Sequence, residues 1–261
     1  MLKKFGSVIG LVIGFVSIFG AYYLEGGTFG ALFIASSIII VFGGTFAATI
    51  IGVGIEKFLS IFSLIKRAYF PPRYDIKNLI SGFVIISKKS RKEGILAMEG
   101  QIAKLLYPFP KKLIRLVMDG TDIDLLENIA LGEIKAMQNR HYSFISIFNK
   151  MGGYAPTMGI IGTVMGLIMT LANAGKDPTI LIHNIATAFI ATLWGILSAN
   201  LLWLPISDRL RECHLEEKQM MELSLEGVMA IQSGEIPSIV KSRLMSLLPQ
   251  KEQDSSVIKL K

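Results

Sequence analysis

Four stretches of the chain contain no Lys, Arg, Asp or Glu and are apolar nearly throughout: residues 5–24, 31–55, 151–172 and 179–206. Each is close to or above the roughly 20 apolar residues that a helix needs to cross a bilayer. The pattern predicts four transmembrane helices. The first stretch, after "MLKK", imitates a secretory signal. Its apolar body exceeds the roughly 7–15 residues of a signal core, however, and no A-x-A-like cleavage site follows, so a retained helix is expected. "EGGTFG", residues 25–30, supplies the glycines for a tight turn between helices 1 and 2.

Residues 56–147 follow a different pattern. Prolines in "YFPPRYD" (69–75) and "YPFPKK" (107–112) interrupt helices. The intervening residues 75–106 read as an amphipathic helix with a basic break at 88–92. After Asp119-Gly120, Thr121 and Asp124 are expected to form a cap box, with Asp in place of the usual Glu. The helical pattern then runs into Met151 without a stop signal, so the third apolar helix should begin outside the membrane and enter it uninterrupted. The fourth should likewise run past Pro205 to Gly234, and the last ten residues are polar and expected to be disordered. The resulting expectation is an all-α membrane protein with no repeat of 20–50 residues. It comprises a transmembrane hairpin (1–55), a cytoplasmic helical insertion (56–147), a second transmembrane hairpin (148–207) and a cytoplasmic C-terminal helix and tail (208–261).

Composition agrees: 51% of residues are hydrophobic, mean hydropathy is +0.52, and 18% are charged, against roughly 25% in soluble domains. The net charge of +7 invites a nucleic-acid partner, but its distribution reads as membrane topology. Two lysines precede helix 1, sixteen Lys/Arg lie between residues 56 and 150, and eight follow Pro205. The outer connections carry only Glu25 in one and Lys176 with Asp177 in the other. The excess of positive charge predicts that both termini and the large insertion lie on the cytoplasmic side.

Catalytic chemistry is absent from the pattern. The chain has no phosphate-binding loop, nucleophile elbow, H-E-x-x-H or zinc spacing. The cluster Gly159, Gly162 and Gly166 follows a helix and not a strand, which excludes a nucleotide loop. Cys213 adjoins His214, a spacing unsuited to chelation, and the other histidines are at 141 and 183. Neither an enzyme, a cofactor nor a metal is expected.

The informative pattern lies inside the apolar runs. Gly152, Pro156, Gly159, Thr163, Gly166, Thr170 and Asn173 follow at intervals of 4, 3, 4, 3, 4 and 3, one seam of a gently supercoiled helix. Ile160, Ile161, Val164, Leu167 and Ile168 lie off it. Helix 4 carries a similar stripe, Ala188, Thr192, Gly195 and Ala199, with Thr187, Ser198 and Asn200 nearby. Two readings fit these stripes: close helix packing, which favours small and hydroxyl residues, or the wall of a polar passage. Gly6, Gly10 and Gly14 in helix 1 fit packing. No span contains an Asp, Glu, Lys or Arg, whereas proton pumps need a titratable group within the membrane. If ions pass here, the group that binds and releases them belongs to another chain.

"GGYAPTMGIIGTVMGLIMTL" (152–171) and "AFIATLWGILSANLLWLPISDRL" (188–210) closely resemble the MotA stator subunits of the bacterial flagellar motor, within the MotA/TolQ/ExbB superfamily. The hairpin–insertion–hairpin layout matches over essentially the whole chain. The resemblance implies a ring, in current understanding a pentamer, around two single-span MotB chains that bind peptidoglycan and carry the ion-accepting aspartate. Ion flow would drive rotation of the ring and turn the rotor through FliG. The family's two functional prolines fall on Pro156 and Pro205. Its rotor-facing arginine and the glutamate eight residues on fall on Arg91 and Glu99, with Lys88, Lys89, Lys92 and Glu93 as helpers. The pathway would be lined by Pro156, Gly159, Thr163, Gly166, Thr170, Thr187 and Thr192. Sodium-driven relatives have an extra threonine before the helix-4 threonine; Ala191 stands there, so protons are expected and sodium is the alternative. Two rival readings are an ExbB/TolQ-like energiser of outer-membrane processes, usually with three spans and an outside N-terminus, and a non-conducting membrane scaffold.

Overall fold

A computed structural model describes residues 2–175, 177–250 and 253. Lys176 and, apart from Gln253, the polar tail expected to be disordered lie outside the described residues. All regular structure among the described residues is helical.

Helix α1 spans Leu2–Leu24. The Gly27 amide donates to the Tyr22 carbonyl, and Gly26 at φ 84° turns the chain. α2 spans Ala35–Val53 and includes a π turn at Ile39–Gly43. It starts later than the apolar run suggested, because Phe29–Leu32 forms a separate turn. The Leu32 carbonyl accepts from the Trp194 indole N–H at 2.8 Å, which holds that turn apart from α2. After Gly54 (φ 83°) come a turn at Ile55–Leu59 and α3, Ile61–Tyr69.

α4 spans Ile76–Glu93, capped by the Asp75 carboxylate accepting from the Asn78 amide at 3.0 Å. It passes through the basic residues 88–92 and stops at Gly94, whose φ of 88° ends the helix. The break expected at the charges therefore lies at the glycine. Two short turns, Ile95–Met98 and Glu99–Ile102, lead to α5, Pro108–Met118, with proline in its first turn.

α6 runs unbroken over Ile123–Ala172, as the missing stop signal predicted. Its cap differs from expectation: the Asp122 carboxylate, and not Thr121, accepts from the Asp124 amide at 2.9 Å. The Thr121 carbonyl is engaged by the Gln232 side chain at 2.7 Å. α7 spans Pro178–Gln232, with a π turn over Ala199–Trp203 that ends two residues before Pro205. Proline cannot donate to the carbonyl four residues back and its ring crowds that carbonyl, so a widened turn there relieves the clash. Asp177 caps α7 by accepting from the Thr179 amide at 2.8 Å; that bond holds its carboxyl below the ordinary value. Gly234 (φ 73°) precedes α8, Pro237–Ser246.

Among the described residues, four helices are long and apolar enough to cross a membrane: Gly6–Leu24 within α1, α2, α6 and α7. The chain packs as two units. One comprises residues 1–72 and 141–213. Phe148, Met151, Ala155, Trp203 and Ile206 form its core with Ile61 and Ala68 of α3. A ring cluster, Phe42, Phe46, Trp194 and Trp203, extends it. The other unit comprises 73–140 and 214–261, around Ile80, Phe83, Leu113, Leu126, Val228 and Leu244.

Candidate functional site

α6 and α7 meet through glycine. A Cβ on Gly159 would stand 2.9 Å from the Ala191 carbonyl oxygen, and one on Gly195 would stand 2.7 Å from that of Ala155. Both distances are shorter than any real Cβ tolerates, so only glycine lets these backbones approach this closely. Gly162 and Gly166 continue the contact against Ala191 and Ala188, and Gly152 sits under Leu204. The glycines of the α6 seam thus serve helix packing within one protomer. Ile160, Ile161, Val164, Leu167 and Ile168 point away from it and are 45–58% exposed, as an apolar outer face requires.

Beside this contact the two helices bring their threonines together. The hydroxyls of Thr163 and Thr192 hydrogen-bond to each other. Thr163 also lies 3.1 Å from the Gly159 carbonyl and 3.2 Å from that of Ala188, and Thr192 lies 3.4 Å from the Gly159 carbonyl. Each hydroxyl has one proton to donate and two lone pairs to accept with. Two donors shared among two carbonyls and each other leave lone pairs unused. The node can therefore accept from a protonated acid or help ligate a small cation, without supplying a titratable group itself. Both threonines are half-buried.

The other predicted residues stand apart from this node. Thr170 donates to the Gly166 carbonyl at 2.9 Å and Thr187 to the His183 carbonyl at 2.8 Å, each within its own helix. Pro156, half-buried, lies inside α6, which stays α-helical through it. Pro205 is exposed and follows the π turn of α7.

Two residues escaped the sequence reading. The side-chain Nδ2 of Asn184 is buried without a hydrogen-bond partner among the described residues, and its backbone carbonyl lies at Gly166. A stripe taken one turn further outward, 184–188–192, contains it. Ser37 of α2 is buried and donates to the Thr187 carbonyl at 2.9 Å; only its position as a hydroxyl in an apolar run hinted at a partner.

The charged residues of the second unit are placed separately. Arg91 donates to the Gly234 carbonyl at 2.6 Å, satisfying a carbonyl beyond the end of α7. Lys89 pairs with Glu93 at 3.8 Å, and its Nζ is 4.0 Å from where Gly100 would carry a Cβ, beside Glu99. Glu99 lines a polar hollow with Lys111, Arg115 and Asp119. Lys88, Arg91, Lys92, Glu93 and Glu99 are exposed. Buried in this unit, His214 has its pKa lowered by desolvation, then by the nearby Lys218, with Glu217 opposing.

Residues 101–223 match the MotA/TolQ/ExbB proton channel family, and residues 8–94 match the N-terminal region of motility protein A. Motility protein A of Bacillus subtilis is 31% identical over 248 residues, 95% of this chain and 92% of that protein. Motility protein A of Treponema pallidum is 33% identical over 257 residues, 97% and 98% of the two chains. Among solved structures, the flagellar MotAB stator complex from Bacillus subtilis matches with a TM-score of 0.89 at 30% identity, covering 95% of this chain and 97% of that one. The Campylobacter jejuni MotAB structure matches in fold, with a TM-score of 0.88 at 21% identity over 94% and 96%.

Proposed function

Because the chain belongs to the MotA/TolQ/ExbB proton channel family, a family of channels and not of enzymes, we propose that it is a flagellar motor stator subunit. It works in a multi-pass arrangement in the bacterial inner membrane with both termini cytoplasmic. Several copies, a pentamer by family resemblance, surround a MotB-like partner that binds peptidoglycan. The observation that carries this reading is the Thr163–Thr192 node, a hydroxyl cluster on two apolar helices whose spans lack any carboxylate. The partner's membrane aspartate supplies the missing acid. It takes a proton from outside, exchanges hydrogen bonds with the threonine hydroxyls, and releases the proton to the cytoplasm. One charge crossing 100 mV releases about 2.3 kcal/mol, enough to bias a step between packed states of the ring.

In this reading α6 and α7 face the partner helix with Pro156, Thr163, Thr170, Thr187 and Thr192, while Gly159 and Gly166, which the sequence pattern had put on the same face, instead hold α6 against α7. Pro156 and Pro205 are where the helices yield. Lys88, Lys89, Arg91 and Glu99 meet the rotor protein FliG, where mixed exposed charge favours fast association and register. Protons are the transported ion, with sodium as the alternative. The match of residues 8–94 to motility protein A supports the motor reading over an ExbB/TolQ-like energiser.

The deciding experiment expresses the chain with its MotB-like partner in a strain lacking stators, measuring swimming and proton flux. Restored swimming that disappears on replacing the partner's membrane aspartate by asparagine supports the proposal. Flux without swimming favours the energiser, and assembly without flux favours a scaffold.

A further inference from the structure

We propose that a hollow between α1, α3 and α7 holds one acyl chain of an anionic inner-leaflet phospholipid, whose phosphate is taken by Arg209. The hollow measures about 280 Å³ and is walled by Gly10 and Leu11 of α1, Ala68 of α3, and Leu201 and Pro205 of α7. Its polar side chains among the described residues, Ser7, Tyr69 and Arg209, lie at the ends of these helices that the topology puts toward the cytoplasm. An apolar slot with a cation at its mouth matches an amphiphile that has one tail and a negative head.

Three observations select a lipid. No residue in the apolar window of α1 is buried, so this helix is bathed by whatever surrounds the protein. Arg209 is half-buried and makes no hydrogen bond or ion pair among the described residues. Lys66 in the last turn of α3 adds exposed positive charge near Tyr69. Gly10 lines the slot, and an added Cβ there would meet nothing within 4 Å. A larger side chain there fills the slot without displacing a neighbour. Pro205 forms part of the wall just after the π turn, so a bound tail packs against the point where α7 departs from regular helix. The inference rests on the proposed membrane topology and not on the motor role or on conduction.

The test is native mass spectrometry of the full complex with its partner, released from vesicles of equimolar phosphatidylglycerol and phosphatidylcholine. The wild type should retain phosphatidylglycerol over phosphatidylcholine by about fivefold, the preference expected from one arginine at an anionic surface. Gly10→Leu should lose most of both lipids while keeping the assembled mass. Arg209→Gln should keep bound lipid but bring the two headgroups to parity, whereas Arg211→Gln should leave both amount and ratio unchanged. Equal retention by the wild type, or undiminished lipid in assembled Gly10→Leu, overturns the proposal. So does a disulfide between protomers through Gly10→Cys, which would show a second copy filling the slot. Should Gly10→Leu fail to assemble, an unchanged headgroup ratio in Arg209→Gln overturns it. A reporter on the N-terminus that is active only outside the cytoplasm removes the topology and the inference together, while loss of flux alone leaves the inference intact.

Discussion

The hydroxyls of Thr163 on α6 and Thr192 on α7 bond to each other across the helix pair, one turn from the point where Gly159 and Gly195 bring the backbones together. The two features depend on each other. Bulkier residues at the glycines would separate the helices and part the hydroxyls; without the hydroxyls the same contact would be plain apolar packing.

Replacing either threonine by valine keeps the shape and removes the hydroxyl. Interhelical hydrogen bonds in membranes contribute about 0.6 kcal/mol on average and at most about 1.7, so assembly with the partner should survive. Ion flux should nevertheless fall by about an order of magnitude, the factor that corresponds to roughly 1.4 kcal/mol, because the partner's acid loses a hydroxyl to exchange hydrogen bonds with. Co-purification alongside flux in vesicles checks this, and a Thr192→Val complex that conducts normally would refute the node's role.

Gly195→Ala should destabilise by about 1–3 kcal/mol, the usual cost of forcing an extra carbon into a packed contact, because the Ala155 carbonyl cannot retreat without moving α6. Gly132→Ala, in the facing long helix α6 but with open space around it, should instead be neutral or stabilise by up to about 1 kcal/mol. Thermal unfolding of the two variants in the assembled complex separates the predictions.

For the rotor surface, Glu99→Lys should impair swimming while leaving membrane insertion and flux unchanged. Arg91→Glu should impair swimming too, with a further small loss of thermal stability because the Gly234 carbonyl loses its donor. Normal swimming of the double charge reversal, scored in soft agar, would remove both residues from the contact.

The depressed pKa of His214 has a definite sign. Below the ordinary value of 6.5 the unfolded chain binds a proton that the folded chain resists, so stability rises with pH. Nothing is lost above that value; as pH falls below it, stability declines until the lowered folded pKa is reached. The melting temperature of the complex should therefore drop between pH 7.5 and 5.5, and His214→Gln should reduce the drop.

Swimming speed at fixed pH should be the same with sodium and with potassium as the dominant cation. With Ala191 ahead of Thr192, the node has one fewer oxygen for a metal ion that prefers several. A strict sodium requirement would reverse the ion assignment.

Length and apolarity alone determined the four crossing helices, and the unbroken α6 followed from a missing stop signal. Period arithmetic put Gly159, Thr163, Gly166 and Thr192 on facing stripes, because a helical repeat is a local property. Which stripe residue packs and which remains chemically available depended on the neighbour. The glycines went to backbone contact, Thr170 and Thr187 turned to their own helices, and only Thr163 and Thr192 met. The end of α4 at Gly94, the Asp122 cap of α6 and the delayed start of α2 were equally undetermined by pattern. Each rests on one backbone angle or one hydrogen bond, and some of the bonds come from residues distant in the chain, as from Trp194 to Leu32. Periodicity assigns a residue to a face; only tertiary contact decides what that face meets.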